Sequence, residues 1–164
     1  MTRIYLSLGS NLGDRAAHLH KALDELGDFV SIRQVSRIYE TAPVGVTDQP
    51  DFLNLAVEAD TGLKPDQLLA GLKSIERKVG RVPGRRWGPR VVDIDILLYG
   101  SEQLETPQLT LPHPQMTNRA FVLIPLAEIA PNLKHPISDV PVARLRDQVT
   151  GLQRIRPYEP DPDG

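Results

Sequence analysis

The chain has 164 residues, 40% of them hydrophobic and 24% charged, a net charge of −2 and no cysteine. One domain of this size buries roughly 70% of the surface its unfolded chain exposes. The composition excludes a disulfide framework, a thiolate metal site and a global basic field for nucleic acid or anionic membrane, and no apolar run reaches the roughly 18 residues of a membrane span.

Ile4 to Leu8 alternates and predicts a first strand, so the N-terminus reads as folded chain rather than as a signal peptide. Gly9-Ser10-Asn11-Leu12-Gly13-Asp14 is turn chemistry, and Asp14 or Asn11 can cap the segment that follows. Ala16, Leu19, Ala22, Leu23 and Leu26 fall at helical spacing over Arg15 to Leu26, with Gly27 as the stop. The glycine turn lacks the Lys-Ser/Thr of a P-loop and the third Gly of a dinucleotide fold, so by itself it reads as a tight strand-to-helix connection. Phe29 to Tyr39 predicts a second strand, bent or bulged. Thr41 to Asp51, broken by Pro43, Gly45 and Pro50, is a long loop of the kind that serves function or moves. Phe52 to Asp60 resumes alternation as a third strand and carries Asn54.

Lys64-Pro65-Asp66 opens a second helix, with Leu68, Leu69, Leu72, Ile75 and Val79 on its apolar side and Gly80 at its end. Glu76 lies near the C-terminal end of that helix, where the helix dipole disfavours an acid. Local conflicts of this kind mark functional sites, the plain alternative being a surface pair with Lys73. Val82-Pro83-Gly84 then begins a loop rich in arginine: Arg81, Arg85, Arg86 and Arg90. Val91 to Tyr99 is β-branched and aromatic, and reads as a fourth strand. Asp93 and Asp95 are two residues apart in it, so both carboxylates leave the same face, about 7 Å apart along the strand. Such a pair is self-repelling unless a hard cation neutralises it, and Mg²⁺ accepts carboxylate oxygens together with substrate phosphates. With guanidinium forks close by, this is the chemistry of a metal-bound polyphosphate.

Leu104 to Leu111 predicts one or two short strands or a bridge. Pro112-His113-Pro114 holds a histidine rigidly, and Arg119 makes a second small cationic patch with it. Phe121 to Ile129 and Val140 to Gln148 predict two more helices, and Tyr158 to Gly164 an acidic, Pro-rich tail. The order strand, helix, strand, strand, helix, strand, followed by an appendage, is that of an α+β ferredoxin-like β-α-β-β-α-β sandwich with a C-terminal helical extension. Residues 1–157 are expected to form one domain and 158–164 the tail.

The stretch Arg86-Trp87-Gly88-Pro89-Arg90, followed after two residues by Asp93-Ile94-Asp95-Ile96-Leu97, closely resembles the signature of the 6-hydroxymethyl-7,8-dihydropterin pyrophosphokinase family of folate biosynthesis. The opening Gly-Ser-Asn-Leu stretch is similar to that family as well. The resemblance implies transfer of the two terminal phosphoryl groups of ATP to the hydroxymethyl oxygen of the dihydropterin, with two Mg²⁺ held by Asp93 and Asp95. It implies catalytic roles for Arg81, Arg90, Asp93 and Asp95. On the pterin side it implies Thr41, Pro43, Val44, Phe52, Asn54, Trp87 and Phe121, with Asn54 reading the ring edge and the two phenylalanines stacking on it. For ATP it implies Lys73, Glu76, Arg81, Arg86, Trp87, Arg90, Ile96, Thr110, His113 and Arg119. The chain departs from some members at Phe52, Lys73, Pro83 and Pro114, which touches secondary ATP contacts and loop behaviour. A cytoplasmic monomer acting on small molecules, with neither nucleic acid nor membrane as partner, is expected. Two other readings compete: a nucleotidyl transferase on a similar palm, and a non-catalytic RNA-binding module. The second expects exposed aromatics on the central strands, where this chain carries acids.

Overall fold

Alternation along the first strand decides how the domain is layered. In the computed structural model, which describes residues 1–42, 51–80, 91–149 and 155–159, β1 runs over Thr2–Ser10 and sends Ile4, Leu6 and Leu8 to one face and Tyr5, Ser7 and Gly9 to the other. β4 (Phe52–Thr61) pairs antiparallel with β1 over its whole length, and β5 (Asp93–Tyr99) pairs antiparallel along the other side of β1. β3 (Tyr39–Thr41) lies beyond β4, and β8 (Ile155–Pro157) beyond β3, giving the order β5-β1-β4-β3-β8; β2 (Ser31–Val35) also pairs with β4. The domain is thus mixed α and β around one antiparallel sheet.

The first face is covered by α1 (Arg15–Leu26) and α2 (Pro65–Val79). Both helices form where apolar spacing, caps and stops predict them. The Asp14 side chain accepts the Ala17 N–H at 3.2 Å, and Pro65 occupies the first turn of α2, where a missing N–H costs nothing. Leu19, Ala22 and Leu26 of α1 and Leu68, Leu72, Ile75 and Val79 of α2 close over Ile4, Leu6, Leu8, Leu55, Val57, Ile94 and Ile96. Gly71 lets the Phe29 ring lie against α2: a Cβ there would sit 3.0 Å from the ring.

The second face carries a smaller core. Tyr5, Ala56, Leu97 and Leu98 meet Met116, from the short 3₁₀ turn Met116–Asn118, Val122, Leu123, Leu126 and Ala127 of α3 (Ala120–Ile129), and Val142 of α4 (Val142–Gln148). A bulge on β5 makes this possible. Tyr5 faces Leu98 while Leu6 faces Ile96, so Leu97 is the extra residue and both leucines reach the second core. β6 (Leu104–Glu105) and β7 (Thr110–Leu111) form a separate two-stranded hairpin.

The stretch Phe29 to Tyr39 is not one strand but two. At the break, Ser36 donates its N–H to the Ala56 carbonyl at 2.9 Å, and its hydroxyl accepts the Ala56 N–H at 2.9 Å in place of a backbone carbonyl. Glu128 of α3 then accepts the Arg37 N–H at 2.9 Å. Side chains thus take over the ladder where the chain turns from β2 to β3. Tyr158 donates its N–H to the Ile38 carbonyl at 2.8 Å, which fastens the start of the acidic C-terminal stretch. Among the described residues, no helix is long and apolar enough to cross a membrane.

α3 is held by its apolar side chains, and Leu123 is fully buried at the centre of the second core. Leu123→Ala leaves a cavity there and is expected to cost about 2–5 kcal/mol in urea unfolding. A loss below about 1 kcal/mol would mean that α3 is not held by this core.

Candidate active site

The second face of the sheet changes character along its length. Where α3 packs it is apolar; toward the other end it is polar, row by row across the strands. Ala56, Ser7 and Asp95 make one row, and Asn54, Gly9 and Asp93 the next, each set by the pairing of β4, β1 and β5. Tyr39 extends the second row on β3, and Thr41 faces Phe52 one step further on. Asn54 is buried, and its Nδ2 donates to Thr41 Oγ1 at 3.2 Å. Gly9 is required beneath it: a Cβ at this position would lie 2.8 Å from Asn54 Oδ1. The strand end thus needs Gly for a close approach, not only for the turn that follows.

The alternation argument for the aspartates holds. Both lie on the second face, Asp93 exposed and Asp95 half-buried. Among the described residues, no group of three or more His, Asp or Glu side chains gathers as a metal site. A carboxylate pair of this kind suits Mg²⁺, which completes its shell with water and phosphate oxygens.

β5 is an edge strand, and its open edge is where the second group of expected residues meets. A cavity of about 230 Å³ there is bordered by Lys73, Asp95, Ile96, Thr110, His113 and Pro114, among others. The Ile96 side chain itself belongs to the first core. Glu76 proves to have a structural task. It is buried, its Oε2 accepts the Ile94 N–H at 2.8 Å, and Oε1 lies 3.2 Å from Lys73 Nζ. The acid at an unfavourable helix end is thus explained by an edge N–H that needs an acceptor, with the Lys73 pair beside it. On the other side of the edge, His113 donates its N–H to the Leu97 carbonyl at 2.9 Å, and its Nδ1 accepts the Gln115 N–H at 3.1 Å. Burial holds the His113 imidazole below its usual pKa; the Asp95 carboxylate pulls it up and the Arg119 guanidinium pushes it down. Arg119 also lies over the Phe121 ring, 5.6 Å from its centroid, while Phe121 packs against the second core.

Pro43, Val44, Arg81, Arg86, Trp87 and Arg90 lie outside the described residues. Of the remainder, Thr41, Phe52, Asn54, Asp93 and Asp95 share the polar end of the second face, and Lys73, Ile96, Thr110 and His113 share the cavity at the β5 edge, with Asp95 common to both. Sequence reasoning missed Gly9, Ser7 and Tyr39 as parts of this floor. The signal for Gly9 was present in the strand pattern, since period two places it on the face of Asp93 and Asn54 once the register is known.

The fold is shared with wild-type Plasmodium falciparum HPPK-DHPS, at a TM-score of 0.73 and 17% identity over 90% of this chain and 44% of that one, so this chain spans under half of that protein. Sequence is more specific. The family model for 7,8-dihydro-6-hydroxymethylpterin-pyrophosphokinase matches residues 5–131, and the chain belongs to that family. It is 50% identical over 157 residues to the 2-amino-4-hydroxy-6-hydroxymethyldihydropteridine pyrophosphokinase of Methylorubrum extorquens, covering 94% of this chain and 99% of that protein. It is 43% identical over 150 residues to the protein of the same name from Aquifex aeolicus, covering 92% and 94%.

The electrostatics of His113 give a test in the metal-free protein. The half-buried imidazole takes up its proton less readily in the folded chain, so just below its ordinary pKa of 6.5 the unfolded chain binds more protons than the folded one. Its contribution to stability is complete above about 6.5 and shrinks as pH falls toward the folded value. NMR titration is expected to place the His113 transition below that ordinary value. In Asp95→Asn it moves lower still, because the carboxylate that supports the charged ring is gone. A rise in Asp95→Asn would contradict the arrangement.

Proposed function

We propose that this chain is an ATP-dependent pyrophosphokinase of folate biosynthesis that converts 6-hydroxymethyl-7,8-dihydropterin to its diphosphate ester. The hydroxymethyl oxygen attacks the β-phosphorus of ATP, the bond from that phosphorus to the α–β bridging oxygen breaks, AMP leaves, and the hydroxyl proton passes to solvent. The observation that carries the reading is the pair of rows on one sheet face. An amide able to read a heterocyclic edge lies at Asn54, two aspartates lie across β1 from it, and Gly9 clears the ground between.

In this reading the dihydropterin lies at the β3–β4 end. Asn54, oriented by Thr41, offers a donor and an acceptor to the fused amide and amine of the ring, and Phe52 and Phe121 supply apolar faces. ATP occupies the β5-edge cavity. Lys73, Thr110 and His113 line it, Ile96 borders it, Glu76 holds the β5 edge behind it, and Arg119 stands near His113. Asp93 and Asp95 would hold two Mg²⁺, which neutralise phosphate charge and lower the pKa of the attacking hydroxyl. His113, whose Nδ1 accepts the Gln115 N–H, has Nε2 left to donate a hydrogen bond to phosphate. Arg81, Arg86, Arg90, Trp87, Pro43 and Val44 enter from the sequence pattern alone: Arg81 and Arg90 for charge on the bridging oxygen, Arg86 and Trp87 for the nucleotide, and Trp87, Pro43 and Val44 for the pterin.

The strand order supports a ferredoxin-like arrangement when β2 and β3 are counted as one interrupted strand. We read residues 1–157 as a single cytoplasmic domain acting as a monomer on small molecules, with residues 158–164 as an acidic tail. The net charge of −2 argues against nucleic acid or an anionic membrane as partner.

Protein, Mg²⁺, ATP and the hydroxymethyl-dihydropterin are expected to yield AMP, and Asp93→Ala or Asp95→Ala to lower turnover by about 10³ or more. Release of pyrophosphate in place of AMP would indicate attack at the α-phosphorus and a nucleotidyl transferase. Near-normal turnover in both variants would remove the aspartates from the chemistry.

A further inference from the structure

One charged cluster is used by no step above. Arg15, the first residue of α1, directs Nη1 to two acceptors on the first-face side of the sheet, Glu40 Oε2 at 3.1 Å and the Asp51 carbonyl at 2.6 Å. Glu40 precedes Thr41, and Asp51 precedes Phe52, so this one nitrogen ties the residues just before the Thr41–Phe52 pair. The other Glu40 oxygen accepts Arg156 Nε at 3.1 Å and Nη2 at 2.6 Å. Arg156 is the Cα partner of Glu40 in the β3–β8 ladder. Tyr158 completes the group, its ring 5.9 Å from the Arg15 guanidinium.

The energetics single out the inner pair. The Glu40 and Arg15 side chains are 13% and 23% exposed, whereas Arg156 is 62% exposed and contributes little alone. Two guanidinia hold the Glu40 carboxyl below its usual pKa, Arg156 foremost, so it is charged throughout the neutral range. Position sets what the clamp can affect. It lies at the β3–β8 edge, and the β5 edge with the nucleotide cavity is at the opposite side of the sheet. Thr41, whose hydroxyl orients Asn54, is the residue directly after Glu40. β8 lies beyond residues 5–131, the part matched by the family model.

We propose that Arg15 and Glu40, closed from outside by β8 through Arg156 and Tyr158, are positioning residues for the dihydropterin. They fix the Thr41–Phe52 end of the β3–β4 pair from behind, so that Thr41 presents Asn54 to the ring edge. The proposal rests on the function inferred above. It deepens that reading by assigning pterin affinity, separately from nucleotide affinity, to a part of the chain that touches neither ligand.

Calorimetry with 6-hydroxymethyl-7,8-dihydropterin and, separately, a non-hydrolysable ATP analogue tests this on the full-length protein. Arg15→Gln and Glu40→Gln are expected to raise the pterin Kd about five- to ten-fold, and Arg156→Ala about two- to three-fold, with the Kd for the analogue unchanged within about two-fold. In steady-state kinetics the pterin KM rises while kcat at saturation is kept. Arg15→Lys, which keeps a cation able to bond both acceptors, restores most of the affinity. Unchanged pterin binding in all three disruptive variants overturns the proposal. So does an equal loss for both ligands alongside a lowered Tm, which marks plain destabilisation. Arg156→Ala, at an exposed side chain, keeps the test open if the inner variants fold poorly. If the wild-type chain binds the nucleotide analogue but no dihydropterin, the function reading itself fails, and the proposal with it.

Discussion

The register of three antiparallel strands governs the rest of the structure. β4, β1 and β5 run side by side, and a two-residue period sends alternate residues of each to the same face. Along one face the residues between the strand ends are apolar and two helices cover them. Along the other an apolar stretch, Tyr5, Ala56, Leu97 and Leu98, separates the charged Arg3, Glu58 and Asp60 from a polar end at Ser7, Gly9, Asn54, Asp93 and Asp95. A one-residue slip of β5 would turn both aspartates into the first core and both isoleucines out of it. The large cost of burying two carboxylates among leucines therefore locks the site in place as firmly as it locks the fold.

The β5 edge shows how the fold is secured beside a cavity. Edge strands leave backbone groups without ladder partners. Here the Glu76 carboxylate takes the Ile94 N–H, and His113 gives its N–H to the Leu97 carbonyl. One partner comes from the helix on the first face and the other from the segment after β7. Both also border or support the cavity between those two segments. The groups that satisfy the edge thus place cavity-lining residues on either side of Asp95.

Local signals were legible where local physics decides. The α1 boundaries follow from apolar spacing, the Asp14 cap and Gly27, and the start of α2 follows from Pro65. Asp93 and Asp95 could be placed on one face from period two alone, and Asn54 from the resemblance carried by the motif downstream. What stayed hidden depends on distant partners. The break between β2 and β3 relies on Ser36 and on Glu128, 91 residues from Arg37. The acceptor role of Glu76 requires α2 to lie against β5, and the need for Gly at position 9 appears only when Asn54 is laid across it. β8 is too short to stand out from sequence, and it is recognised by its pairing with β3.

The central claim is that the polar end of the second face is where metal and phosphate meet. Mn²⁺ in place of Mg²⁺, added with a non-hydrolysable ATP analogue, tests it most directly through paramagnetic broadening of backbone amide signals. The account predicts that Ser7, Gly9, Asp93 and Asp95 broaden first, while Arg3 and Asp60, at the far end of the same strands, stay sharp. Broadening centred on Arg3 and Asp60, or spread evenly over the surface acids, would contradict it.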